Sequence, residues 1–120
     1  MIESPVDRYE TTLTRLAIAD DLYYERLLAF DGTNVSESHL DKKTHALVRL
    51  GALVAIDSPS PGYMWTVEGA RRHGASVEEI VGCLIAALPA VGVPNVVSAA
   101  PKLALALGYD ITAALEDRGL

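Results

Sequence analysis

The chain has 120 residues and a mass of 12.8 kDa, 50% of them apolar and 22% charged, with a mean hydropathy of +0.22; this excludes a disordered or collagen-like chain and leaves one domain able to bury a core. Its 16 acidic and 10 basic residues give a net charge of −6, and an acidic chain without a basic cluster is a poor ligand for nucleic acid or an anionic membrane. A single cysteine excludes an internal disulfide framework, a cysteine-rich metal site and a two-thiol redox motif.

The first residues, MIESPVDRYE, carry acids early and no apolar stretch, so no signal peptide is expected and a cytoplasmic location is the default. Ser4 and Pro5 read as an N-cap followed by proline at the first helical position. Leu13, Leu16, Ala17, Asp20, Tyr23, Tyr24, Leu27 and Leu28 follow three-to-four spacing, which predicts one long amphipathic helix to about Phe30. The polar run DGTNVSES then reads as a break, and Asp41 or Ser38 caps the next helix. Residues 46–56 are apolar except Arg49 and Gly51, so that helix must be buried on most sides.

Ser58-Pro59-Ser60-Pro61-Gly62 reads as a rigid turn, because two prolines fix their own φ and restrict the residues before them. A helix is expected from about Tyr63 to His73, closed by Gly74. Ser76-Val77-Glu78-Glu79 is a capping box, serine at the cap and glutamate three residues on, and opens a helix to about Ala90. Residues 80–101 hold no charge over a nearly bilayer-spanning length. Pro89, Pro94 and Pro101 argue against one spanning helix; two short buried helices meeting near Gly92-Val93-Pro94 are expected instead. The second runs over 95–107 with Pro101 inside and Gly108 as its stop, and 110–117 forms a last short helix. Valine and isoleucine nowhere alternate with polar residues over a useful length, so no sheet is expected. The two central apolar stretches exceed what a monomer of this size covers easily, which predicts a homo-oligomer.

The stretches LDKKTHALVRLGALVAI, GARRHGASVEEIVGCLIAAL and AVGVPNVVSAAPKLALALG, taken in that order, resemble the carboxymuconolactone decarboxylase family, which includes the alkylhydroperoxidase D-like proteins. The resemblance covers residues 40–108. It implies an all-α fold with a helical-hairpin core, assembled as dimers, trimers or hexamers. The whole chain is then a single domain, 1–120: an N-terminal helical extension over 1–39, the family-like core over 40–108 and a short C-terminal helix over 109–120.

The resemblance also implies a reactive site that this sequence lacks. The family's peroxidase branch places two cysteines around the turn after the apolar helix and a histidine one turn into the next. Aligned backwards from Gly74, these positions fall on Pro59, Gly62 and Thr66; aligned forwards from Leu40, the first cysteine falls on Ser58 and the histidine on Trp65. The branch's glutamate falls at Ala46. A peroxidase that cycles a disulfide needs a nucleophilic and a resolving thiol, so that activity is not expected, and Cys83 reads as a small apolar residue of the core.

The remaining candidates each have a structural and a functional reading. Asp57 shares the helix face of Ala46 and ends the helix, where an acid opposes the dipole; it either forms the turn or moves a proton. His45, one turn before Arg49, is either a surface or interface residue or a general base. Arg49 either snorkels to solvent or pairs with an acid, or anchors a ligand carboxylate. Tyr63 and Thr66 share a helix face and would orient a substrate, Thr66 being a weak nucleophile without a base. Trp65 packs at core or interface, or stacks on a ligand. His39 and His45 are too far around a helix to make a metal face, and Arg71-Arg72-His73 reads as a helix C-terminal charge cluster. The sequence therefore predicts a thiol-independent, lyase- or isomerase-like enzyme acting by acid–base chemistry on an acidic or lactone-like metabolite. It would use Asp57, His45, Thr66 and Tyr63 in catalysis and Arg49 and Trp65 in binding, with no cofactor or metal. The other reading is a non-catalytic ligand-binding or oligomeric scaffold of the same family.

Overall fold

The spacing of residues 13–28 does make helix, but in two pieces. In the computed structural model, which describes residues 5–119, the first helices are α1 (Pro5–Ala17) and α2 (Asp21–Ala29). Ala19 between them takes a left-handed conformation, φ 54°, and the Asp20 carboxylate accepts the Tyr23 amide at 3.0 Å, capping α2. The local cap outweighs the continuous apolar pattern. The expected Ser4 cap lies outside the described residues.

The polar run after Phe30 is also a helix rather than a break: α3 (Asp31–Ser38). Its side chains supply what its propensity does not. Asn34 donates to the Leu27 carbonyl at 3.0 Å, Ser38 to that of Val35 at 2.7 Å, and Glu37 pairs with Arg26. The three helices lie in one compact unit that ends at Leu40. Within it Tyr23 is buried, with the Arg15 guanidinium 5.6 Å from its ring centroid.

Residues 41–120 form a second unit, built from α4 (Lys42–Ala55), α5 (Ser60–Arg72), α6 (Val77–Val91), α7 (Val93–Ala106) and α8 (Ile111–Asp117). Each of the four longer helices contributes a narrow apolar stripe at helical spacing. Ala46, Leu50 and Val54 come from α4, Tyr63, Val67 and Ala70 from α5, Ile80 and Leu84 from α6, and Ala99 and Leu103 from α7. Four helices sharing one core satisfy the burial that the sequence demands of residues 46–56 and 80–100. Among the described residues every element is helical, as the patterning predicts.

The caps follow the sequence closely. Asp41 caps α4 through the Thr44 amide at 2.7 Å, and Ser76 and Glu79 form the full capping box of α6. Glu79 also meets Lys43 at 3.1 Å, joining the N-terminal ends of α4 and α6. The chain turns from α6 to α7 at Gly92, φ 89°, so no described helix is long and apolar enough to cross a membrane. The proline-rich turn is shorter than expected. Pro59 is the N-cap of α5 and Pro61 sits inside its first turn, where a missing amide costs nothing.

Loss of volume from this four-helix core is expected to be expensive. Leu50, 1% exposed, should cost about 2–5 kcal/mol on replacement by alanine, and Ile80→Val about 0.5–1.5 kcal/mol. Urea denaturation measures both, and a Leu50→Ala protein as stable as the wild type would contradict the assignment of the core.

Candidate functional site

Helix α4 ends in a Schellman motif. The Asp57 amide bonds the Val54 carbonyl at 3.3 Å and the Ser58 amide bonds that of Leu53 at 3.0 Å. The motif needs a left-handed residue, here Asp57 at φ 52°. Helices α5 and α7 end in the same way with glycine in that place, Gly74 and Gly108. A non-glycine residue there is strained by about 1 kcal/mol or more. Ala19 takes the same position after α1 with no polar side chain; that of Asp57 is engaged through one oxygen.

One oxygen of the Asp57 carboxylate, Oδ1, accepts from the Ser98 hydroxyl at 2.6 Å and from the Lys102 ammonium at 3.1 Å. Lys102 also donates to the Ser58 carbonyl at 3.0 Å, and Asn95 donates to that of Ala55 at 3.1 Å. Asn95, Ser98 and Lys102 are the only polar side chains of α7 and fall within about 60° of one another around the helix. They close the exposed carbonyl end of α4 from outside that helix. The sequence argument that an acid at a helix C-terminus opposes the dipole is answered here by Lys102, a cation at the same place. The Ser98 and Lys102 hydrogen bonds and the Lys102 charge hold the Asp57 carboxyl below its ordinary value.

Tyr63 stands next to this turn. Its side chain is fully buried, and its hydroxyl has no hydrogen-bond partner among the described residues. Burial pushes its phenol up, and the nearby Asp57 charge pushes in the same direction. Ser58 is buried, with its hydroxyl donating weakly to the Pro59 carbonyl at 3.3 Å. A Cβ at Gly62 would lie 2.7 Å from the Ser58 oxygen, so the turn is closed where the resemblance puts the second thiol.

The structure thus brings Asp57 and Tyr63 together and leaves the other candidates elsewhere. Thr66 is half-buried one turn beyond Tyr63. Arg49 is exposed on α4, about 12 Å along the axis from Asp57. Trp65 is 78% exposed on α5. His45 is buried near the start of α4, about 18 Å along the axis from Asp57, so the two cannot serve one proton transfer. Cys83 is half-buried, its thiol donating towards the Leu47 and Glu79 carbonyls. Burial and then the Glu79 charge push it up, away from a reactive thiolate. An open depression of about 360 Å³ is lined by Glu10, Thr11, Thr14 and Arg15 on α1, and holds none of these residues. Among the described residues no group of three His, Cys, Asp or Glu side chains is placed to hold a metal ion.

Sequence reasoning missed Asn95, Ser98 and Lys102. The signal was present as three polar residues at i, i+3 and i+7 in an otherwise apolar helix, which marks a face that meets something polar.

A model of the carboxymuconolactone decarboxylase family matches residues 21–105, and the chain belongs to that family. The match runs from the start of α2 almost to the end of α7, so it holds both the Asp57 turn and its partners on α7. No curated protein and no solved structure matches the chain.

The Asp57 contacts set a pH dependence. A carboxyl lowered in the folded state adds stability that is present above its unfolded value and is lost as pH falls through the folded value. Asp57→Asn should therefore shrink the stability difference between about pH 7 and about pH 3. Urea denaturation at both pH values reads it, and an unchanged difference would count against these contacts.

Proposed function

We propose that the chain is a thiol-independent small-molecule enzyme of its family, acting by acid–base chemistry on an acidic or lactone-like metabolite at the α4–α5 turn. The observation that carries this reading is the Tyr63 hydroxyl, fully buried and without a partner among the described residues, beside an ionised carboxylate. A buried hydroxyl without a partner costs about 1–3 kcal/mol, and native structures seldom keep one without a use. A substrate carbonyl would satisfy it once the turn opens enough to admit one. Tyr63 then donates to the oxygen on which charge develops, and Asp57, ionised at neutral pH, receives the proton. Thr66, one turn on from Tyr63, orients the substrate. Arg49 and Trp65 are assigned substrate contacts on the exposed faces of their helices, and His45 is kept as a separate acid–base candidate. The reaction class is that of a lyase or isomerase.

A second reading, an oligomeric scaffold, is favoured by the apolar side chains that the second unit exposes. Ile56, Met64, Trp65 and Ile85 are 72, 58, 78 and 70% exposed. Burying such side chains between copies would gain about 25 cal/mol per Å², which supports a dimer, trimer or hexamer.

Turnover of a panel of carboxylated lactones separates the two. The enzyme reading expects a substrate whose kcat falls about 100-fold or more in Asp57→Asn and falls also in Tyr63→Phe. Equal rates in Asp57→Asn would remove Asp57 from the reaction. An oligomer by sedimentation that turns over no member of the panel would favour the scaffold.

A further inference from the structure

We propose that Ser98 and Lys102 are positioning residues for Asp57: from one face of α7 they saturate Oδ1 of its carboxylate and present Oδ2 as the oxygen that receives a ligand's proton. This rests on the reading of Asp57 as the reacting acid, and goes beyond it by assigning two residues outside the α4–α5 hairpin.

Three observations carry it. Ser98 and Lys102 both bond Oδ1 of the carboxylate, at 2.6 and 3.1 Å, while the side chain stays 53% exposed. A carboxylate that only capped the turn would have no reason to spend both bonds on one oxygen. The backbone points the same way. Glycine fills the position of Asp57 after α5 and α7 and alanine fills it after α1, so the turn does not require an aspartate, and what Asp57 adds to it is its side chain. Finally, Lys102 is shared. Its ammonium bonds Asp57 Oδ1 and the Ser58 carbonyl and is itself only 25% exposed. A lysine fixed at two points holds the carboxylate in one rotamer, where a freely rotating surface lysine would not.

The groups that face Asp57 are therefore Ser98 and Lys102 from α7 and Tyr63 from α5. Asn95 supplies an internal control. It belongs to the same row and ties the same helix end, but its bond goes to the Ala55 carbonyl and not to the carboxylate.

The test is a carboxyl titration of the full chain by NMR, following the Asp57 side-chain carbon in wild type, Ser98→Ala, Lys102→Met, Lys102→Arg and Asn95→Ala. It needs no substrate, so it stands or falls separately from the turnover assay. The expected result is an Asp57 midpoint that rises towards the ordinary carboxylate value in Ser98→Ala and in Lys102→Met, returns in Lys102→Arg, and stays at the wild-type value in Asn95→Ala. A midpoint unmoved in both Ser98→Ala and Lys102→Met would overturn the proposal. So would an Asn95→Ala shift as large as that of Ser98→Ala, because the row would then act on the turn as a whole. Ser98→Ala removes one exposed-edge hydroxyl and keeps the test readable if Lys102→Met does not fold.

Discussion

The end of helix α4 is the constraint on which the rest depends. A helix leaves its last carbonyls without partners; here the turn's own amides meet those of Ala52, Leu53 and Val54, and a row of three polar residues on the otherwise apolar α7 ties the rest of the turn, Asn95 through the Ala55 carbonyl, Lys102 through that of Ser58 and Ser98 through the Asp57 carboxylate. The row does two things at once. It ties the end of a helix whose body is buried, and it fixes a carboxylate on a left-handed residue, a conformation that four described glycines and only two other described non-glycine residues take. Tyr63, on the next helix, is thereby buried beside a fixed negative charge.

The same turn holds no thiol at the positions where the family resemblance would put them. The close approach of Gly62 to the Ser58 hydroxyl leaves no room for a side chain unless Ser58 turns away, and Cys83 is a weakly acidic, half-buried thiol bonded to backbone carbonyls. What stands at the turn is a carboxylate and a phenol. The four-helix core beneath it does not depend on either, because its stripes of Leu50, Val54, Val67, Ile80 and Leu103 are apolar throughout.

Much of this was legible in the sequence. Periodicity gave the helices of the second unit, and Asp41, Ser76, Glu79, Gly74 and Gly108 marked their ends, because capping is local and needs no partner beyond the next turn. The family was legible too, from ordered stretches within residues 40–108. Two helix boundaries were not. A long apolar repeat hid the left-handed Ala19, and the poor propensity of Asp31–Ser38 hid a helix held by side-chain bonds within itself and to α2. Asp57 and Tyr63 could be named as candidates, but the partners of Asp57, Ser98 and Lys102, lie 41 and 45 residues away along the chain. Contacts of that span are set by how α7 packs, which spacing along one helix does not encode.

The account holds that a carboxylate and a buried phenol occupy the turn together. The most direct test is an ultraviolet titration of the phenols, of which the chain has five. The account predicts one that ionises above the others, is missing in Tyr63→Phe, and comes down when Asp57 is replaced by asparagine. Five tyrosines titrating alike, or a high one indifferent to Asp57, would contradict it.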